Sequence, residues 1–506
     1  MAHNLANKAL RVSSSAISRP SRRLPCSTRL LSSPSSPSSP SVVTATSPPS
    51  IAIVGGGPAG LTLAALLHRR RVPFTVFELR PRPTAAAWAR PSGMLDLHEP
   101  DGLRAIRACG LYDQFLPLTG ECSEEFVLAD KSGARVPIKS ADGSTTATTE
   151  DERLKEAKVP ATAARPEISR NNLAQLLLTR IPPESVRWGH KLRAATYSNA
   201  GGVTTLDFGD AGGVTTLDFG DAGGTHEFDL VVGADGAWSR VRTLVTPARP
   251  RYGNAQVVTA TIRHLSTRYP HLAALVGTGS FSALGDRHAV VSQRGPHDSA
   301  RVYVWLTTTD EKLGATAGLA ARPPTAAREL LLDSARFLGA FGPRVKDLVA
   351  TALAEQQRDD ELEQEEKEEG SGDGTTKGLD IRPLYALPYG TSWAHKKGVA
   401  LIGDAAHVML PNGEGVNQAM LDATLLADAI VGAYDESVAG AGASGAGDGR
   451  ARFGDVLAPR VEAFEREMTQ RAVRVGEETE QLLGMMLGPD AAETMAKFFL
   501  EHQGQQ

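Results

Sequence analysis

The chain has 506 residues, 41% of them hydrophobic, with 54 Lys and Arg against 58 Asp and Glu and a formal net charge of −4. Its length exceeds what one hydrophobic core organises and predicts two or three domains. The charge balance supplies no basic field for nucleic acid, and no apolar run approaches the roughly 18 residues of a membrane span.

Residues 1–49 are rich in serine and hold six Lys/Arg and no Asp or Glu. That composition suits a transit peptide, while Pro34, Pro37 and Pro40 oppose a helix and favour the alternative of a disordered tail. The expected location is therefore cytoplasmic or mitochondrial. Three cysteines, Cys26, Cys109 and Cys122, form no CxxC pair and no zinc-ligand spacing, and no metal is expected. Cys109 and Cys122 read as buried small hydrophobes.

The first strong signal is the apolar strand Ile51-Ala52-Ile53-Val54, followed by Gly55-Gly56-Gly57-Pro58-Ala59-Gly60 and a helical run from Leu61 to Leu67. Strand, glycine turn and helix in this order form a dinucleotide fingerprint. Gly55 permits the tight turn, Gly57 lets the backbone approach a pyrophosphate, Gly60 lets helix and strand pack closely, and the helix start attracts phosphate. A second strand, Phe74 to Phe77, ends in Glu78 at about the 20-residue distance where an acid meets a ribose hydroxyl. Gly440, Gly442 and Gly445 repeat the glycine spacing inside an Ala/Gly/Ser run without strand or apolar helix, and are expected to bind nothing.

Two more buried strands end in polar turns. One is Asp229-Leu230-Val231-Val232-Gly233-Ala234-Asp235-Gly236-Ala237-Trp238-Ser239-Arg240-Val241-Arg242. The other lies in VALIGDAAHVMLPNGEGVN, residues 399–417, where the strand stops at Gly403-Asp404 and a glycine-rich turn opens a helix. A carboxylate at a strand end can accept from a ribityl or ribose hydroxyl, and the free amides of the next helix start attract negative charge. Three segments look like insertions: a perfect tandem duplication of GGVTTLDFGDA at 201–211 and 212–222, expected to protrude as a hairpin; an acidic stretch at 358–377, expected to be a solvated loop; and a Gly/Ala linker at 438–450. A final helix places Val461, Phe464, Met468, Ala472 and Val475 on one face.

The combination GGGPAG, GADGAWSRVR and GDAAH, in this order, resembles the single-component FAD-dependent aromatic monooxygenases with the para-hydroxybenzoate hydroxylase fold. Ser92-Gly93-Met94-Leu95-Asp96-Leu97-His98 and Glu167-Ile168-Ser169-Arg170-Asn171-Asn172-Leu173 look most like the tetracycline-inactivating branch. The resemblance covers about residues 50 to 480 apart from the insertions. It implies an α/β fold in which a doubly wound FAD-binding domain (50–108, 157–246 and 381–437) is interleaved with an antiparallel-sheet substrate domain (109–156 and 247–380). A linker (438–452) and a C-terminal helical region (453–506) follow.

The activity so implied is NAD(P)H-driven reduction of FAD, reaction with dioxygen to a C4a-hydroperoxyflavin, and hydroxylation of an aromatic or polycyclic small molecule. NADPH is the expected reductant. The cofactor carries the hard chemistry, so no side-chain catalytic residue is required. By matching motif positions, Gly55, Gly57, Gly60, Glu78, Asp96, Arg170, Asp235, Asp404 and Val416 are assigned to the cofactor. Glu78 is placed on the adenosine ribose, Arg170 on phosphate or ribityl, Asp404 on ribityl and Asp96 on the flavin side. Asp235 has two readings of equal weight, a nucleotide contact or an Asx-type bond that fixes its own turn. His407 and His98 read as hydrogen-bonded rather than acid–base residues.

Two departures from the family stand out. Relatives commonly read PxxGQG before the flavin-facing helix, whereas this chain has Pro411-Asn412-Gly413-Glu414-Gly415, one residue shorter with glutamate for glutamine. A carboxylate there is expected to oppose the anionic reduced flavin and slow reduction relative to Glu414→Gln. Leu79 stands where relatives often carry a basic residue, for which Arg80 or Arg90 can substitute. The alternatives are a halogenase, which needs a WxWxIP motif that Trp305 lacks, and a non-catalytic flavin-binding relative.

Overall fold

Four consecutive apolar residues, Ile51–Val54 (β1), are buried on both faces, the pattern of an interior strand in a parallel sheet covered by helices. In the computed structural model, which describes residues 48–137 apart from 121 and 124, and 166–198, 203–207, 225–368, 378–441 and 449–503, β1 lies at the centre of a five-stranded sheet. Thr75–Glu78 (β2) flanks it on one side and Leu230–Gly233 (β10) on the other, with Val186–Trp188 (β6) beyond β2 and Val399–Leu401 (β16) beyond β10. Every pairing is parallel, so all five strands deliver their carboxyl ends to one edge. Chain order reverses at β1, leaving a crevice between the turns after β1 and β10 where such sheets bind ligands.

Two smaller sheets flank this one. Met94–Asp96 (β3) pairs with Glu167–Ser169 (β5), and Ala194–Ser198 (β7), Val203–Asp207 (β8) and Thr225–Phe228 (β9) form a three-stranded antiparallel sheet. The first copy of the duplication supplies β8, while the second copy, residues 212–222, lies outside the described residues.

The fourth sheet has six strands in the order β15-β11-β14-β13-β12-β4: Ile381–Ala386, Arg251–Ile262, Ser299–Thr307, His288–Gly295, Ser280–Gly285 and Phe126–Asp130. All pairs are antiparallel except β12 with β4. Alternation along β11 and β14 sends Val258, Ala260, Val302 and Val304 into a core under the helix Pro343–Glu368 and its neighbours. The other face sends Val257, Val291, Tyr303 and Trp305 towards Leu410 and the C-terminal helix Ala491–Gln503.

Three expectations need correction. β15 was expected to begin the last segment of the FAD-binding domain, yet residues 381–386 pair with β11, because alternating exposure suits an edge strand of the second sheet. The acidic stretch is not a loop throughout: helix Pro343–Glu368 runs into it, and Arg263 and Arg268 neutralise Asp359 and Glu355 on that helix. The linker is shorter than expected, since helix Gly415–Ala441 and helix Gly449–Met486 extend into it from both sides. Gly440 is thus the penultimate residue of a helix, while Gly442 and Gly445, like residues 1–47, fall outside the described residues.

Candidate functional site

The crevice is built first by glycines. Gly55 has φ +112°, and a Cβ there would come 2.2 Å from the Ala234 carbonyl, so the turns after β1 and β10 touch only because that residue is glycine. A Cβ on Gly60 would meet the Gly55 carbonyl at 2.0 Å, and one on Gly56 would meet Glu78 Oε2 at 2.9 Å. Gly57 is different, for nothing lies within 4 Å of its Cβ direction. It caps helix α1, Pro58–Arg69, without any side-chain cap. The first amides of α1 therefore point into open space, which is the cradle that a pyrophosphate requires.

Glu78 closes the adenosine end of this cradle. Its Oε2 accepts from Gly56 N–H at 2.6 Å, and its Oε1 accepts from both the amide (3.0 Å) and Nε (2.8 Å) of Arg80. Arg80 thus turns back onto the acid, the part assigned to a basic neighbour, while Leu79 points to solvent.

A second helix start meets the first. Gly403 has φ +59°, and a Cβ there would touch Ala419 at 3.1 Å and Ala59 at 3.3 Å, so α1 and helix Gly415–Ala441 converge at Gly403-Asp404. Nothing lies within 4 Å of the Cβ direction of Gly415. Val416, half-buried in the first turn of that helix, packs against the main core. Two helix N-termini, each near +0.5 charge, thus open beside Asp404. The Asp404 carboxylate is solvent-exposed, has protein crowded around it, and makes no hydrogen bond among the described residues. That crowding raises its pKa, and His407, Arg170 and Arg242 pull it back.

Arg170 reaches the same space from the opposite side. Ser169 caps its helix, Arg170–Leu178, by accepting from Asn172 N–H at 3.1 Å. Asn171 fixes the preceding loop by donating to the carbonyl of Arg90 at 2.9 Å, and its own amide donates to Ser92 Oγ at 3.0 Å. The Arg170 side chain is exposed and has no hydrogen-bond partner among the described residues; it lies beside Gly93 and Tyr303. Arg170 and Asp404 feel each other's charge without pairing.

The remaining motif residues are occupied. Asp235 Oδ1 accepts from Ser239 Oγ (2.5 Å) and Oδ2 from the amides of Arg240 (2.8 Å) and Val241 (3.4 Å), which is the turn-fixing reading. Burial nevertheless raises its pKa against those bonds. Arg242, quoted in the motif but given no task, is buried and clamps three carbonyls, those of Ala237, Ala405 and Asp404. His407 is hydrogen-bonded as expected, its Nε2 lying 2.6 Å from Asp422 Oδ2, which also accepts from Gly403 N–H at 2.9 Å. Arg471 bonds the other oxygen of Asp422 and donates Nε to Gln418 at 2.8 Å.

Asp96, assigned to the flavin side, accepts from His98 Nε2 at 2.9 Å. Glu414 corrects the expectation made for it. Its carboxylate is buried with Oε1 3.3 Å from His98 Nδ1, so it is not the free charge that was expected to oppose a reduced flavin.

Sequence reasoning missed Asp422 and Arg471, though each left a signal. Asp422 interrupts the apolar run Ala419-Met420-Leu421 and Ala423, and Arg471 falls three residues after Met468 and four before Val475 on the buried stripe. Cys109 and Cys122 are buried free thiols, both raised in pKa by burial. Trp305 is part of a hydrophobic core.

A doubly wound sheet with a glycine cradle, a distal acid and two open helix starts, joined to a second antiparallel sheet, defines a flavoprotein of the oxidoreductase class. The sequence profile of the FAD binding domain family matches residues 49–328 and 354–451, and the chain belongs to that family. It is 34% identical over 414 residues to monooxygenase penA of Penicillium thymicola, covering 77% of this chain and 86% of that protein. It is 33% identical over 475 residues to monooxygenase asqM of Emericella nidulans, covering 88% and 97%. The fold is shared with HpxO of Klebsiella pneumoniae, solved with FAD, at 17% identity and a TM-score of 0.60 over 90% of this chain and 96% of that one. The chain is an FAD-dependent monooxygenase, and the non-catalytic alternative falls away.

Proposed function

We propose that the protein uses NADPH to hydroxylate an aromatic or polycyclic small molecule. The observation that carries this reading is the approach of the starts of α1 and helix Gly415–Ala441 at Gly403-Asp404, where the Asp404 and Arg170 side chains are exposed and have no hydrogen-bond partner among the described residues. Bound FAD would supply the redox chemistry, accepting electrons from the nicotinamide and delivering one oxygen atom of dioxygen to the substrate.

The chain's own residues would hold and orient. The α1 amides and Gly57 would take the pyrophosphate, Glu78 the adenosine ribose, Arg170 a phosphate or the ribityl chain, and Asp404 a ribityl hydroxyl. Asp96 would stand on the flavin side. The first amides of helix Gly415–Ala441, including that of Val416, would face negative charge on the ring. Asp235 and Arg242 would act indirectly, by holding the β10 turn and the Asp404 segment in place. No side-chain nucleophile takes part.

The aromatic substrate class is supported by Tyr303, whose hydroxyl stands with Arg170 beside Gly93, at the edge of a sheet face that is otherwise packed under the C-terminal helix and so offers an aromatic contact in a water-poor setting. Burial raises the pKa of Tyr303, which keeps its hydroxyl a neutral donor. The test is a screen of phenols and polycyclic ketones with purified protein under ¹⁸O₂. The expected result is a yellow protein whose NADPH oxidation one compound stimulates, with a product carrying one ¹⁸O. A yellow protein whose NADPH oxidation no aromatic compound stimulates would overturn the reading.

A further inference from the structure

The roles above leave one buried ionisable cluster without a task. His98 follows β3, with Nε2 2.9 Å from Asp96 Oδ2 and Nδ1 3.3 Å from Glu414 Oε1, and both it and Glu414 are buried. A ring with a carboxylate oxygen on each nitrogen donates to both only when doubly protonated. Burial alone would lower the pKa of His98, but its bonds to Asp96 and Glu414 prevail and raise it to about 9.

Asp101, just before helix Gly102–Ala108, faces the same cluster; burial and Glu414 raise its pKa while Arg471, His98 and Arg104 lower it. Asn417 stitches the same segments through neutral bonds. Its Oδ1 accepts from the amides of His98 (2.9 Å) and Gly102 (3.3 Å), and its Nδ2 donates to the Asp96 carbonyl at 2.9 Å. Gly413, at φ +93°, brings the turn so close that a Cβ would lie 3.3 Å from Asp96 Oδ1.

We infer that His98 is a positioning residue: as an imidazolium bridging Asp96 and Glu414, it fastens the turn at residues 411–415 and the start of helix Gly415–Ala441 to β3. This bridge gives the buried Glu414 carboxylate a cationic partner. Without His98 the buried Glu414 carboxylate and the half-buried Asp96 carboxylate would lose the cation between them, and the turn would move or Glu414 would take up a proton. The inference rests on the proposed function only in placing this turn beside the flavin.

The test compares wild type, His98→Gln, Glu414→Gln and the double variant. Three readouts are taken: NMR titration of histidine in apoprotein, urea unfolding of apoprotein, and FAD affinity by flavin fluorescence. His98 should titrate well above 7 in wild type and at least one unit lower in Glu414→Gln. His98→Gln should weaken FAD binding roughly tenfold, the scale of one charge-assisted hydrogen bond, and the double variant should recover most of that loss. A wild-type titration near 6.5, or losses in the two single variants that simply add, would overturn the bridge. Both apoprotein readouts stand without the cofactor, so failure of FAD binding in every variant would count against the function and not against the bridge.

Discussion

Replacing Asp422 with alanine should destabilise the apoprotein by about 3 to 5 kcal/mol, the range for removing one partner of a buried charged pair. The carboxylate is wholly buried and accepts from Gly403 N–H, His407 and Arg471. Charge-assisted bonds of this kind contribute roughly 1.5 to 3 kcal/mol each, but the larger effect is the guanidinium and imidazole left unpaired. Asp422→Asn keeps the volume and one acceptor, so its loss should be smaller. The pH dependence has a definite sign. Burial alone would raise the pKa of Asp422, yet His407, Arg471 and the Gly403 amide hold it below the ordinary value. For His407 burial pulls down, and Asp422 prevails and raises it. The Asp422 contribution is therefore complete above about pH 4 and lost as pH falls through its lowered folded value. The His407 contribution is complete below about pH 6.5 and lost as pH rises through its raised folded value. Urea unfolding followed by circular dichroism at several pH values should show the gap between wild type and Asp422→Ala narrowing above neutrality. A gap below about 1 kcal/mol at pH 6, well under the buried-pair range, or one that widens with pH, would refute the reasoning.

Four other outcomes follow from the same geometry. Gly60→Ala forces a Cβ against the Gly55 carbonyl at 2.0 Å and should destabilise the apoprotein by at least about 1 to 3 kcal/mol, read as a fall in urea midpoint. Gly57→Ala meets nothing within 4 Å, so its apoprotein should unfold within about 0.5 kcal/mol of wild type, while flavin fluorescence should show weakened FAD retention. Asp404→Asn removes a carboxylate with no hydrogen-bond partner among the described residues, and should likewise leave apoprotein stability unchanged and weaken FAD binding. Arg242→Met removes donors from the carbonyls of Ala237 and Ala405, and should cost about 2 to 5 kcal/mol through buried carbonyls left without donors, measurable by urea unfolding.

The first sheet was largely legible because its signals are local. Ile51–Val54, Leu230–Gly233 and Val399–Leu401 are short apolar runs that each stop at glycine or aspartate, and a strand buried on both faces allows little else. The cradle was legible for the same reason, since each glycine answers a steric demand within a few residues or across one strand pair. What stayed hidden depends on contacts between distant segments. Nothing near Glu414 announces His98, more than 300 residues away, and so a paired carboxylate was read as a free one. The β15 strand was misplaced because six residues of mixed exposure carry no mark of which sheet they join. The acidic stretch reads as solvated because Arg263, the partner of its Asp359, comes from a segment 96 residues away.

Four carboxylates around the crevice, Asp235, Asp422, Glu414 and Asp404, divide by partner, whereas Glu78 and Asp96 stand between, each held by protein groups at the ligand's edge. Asp235, Asp422 and Glu414 are each answered by protein donors or cations, so they shape turns and helix starts and have little left to offer a ligand. Asp404 and Arg170 are the opposite. Each is carried on a rigid element, α1 and helix Gly415–Ala441 meeting around Gly403 and Ser169 capping the Arg170 helix, yet each keeps its charge open among the described residues. Holding a polar group still while leaving it unsatisfied stabilises nothing in the apoprotein, and it lowers the ordering cost when a ligand arrives. Stability and binding should therefore separate by residue, with Asp422 and Arg242 moving the unfolding midpoint and Asp404 and Arg170 moving FAD affinity alone. An Arg170→Met variant that lost stability as much as affinity would show that the open pair is part of the scaffold after all.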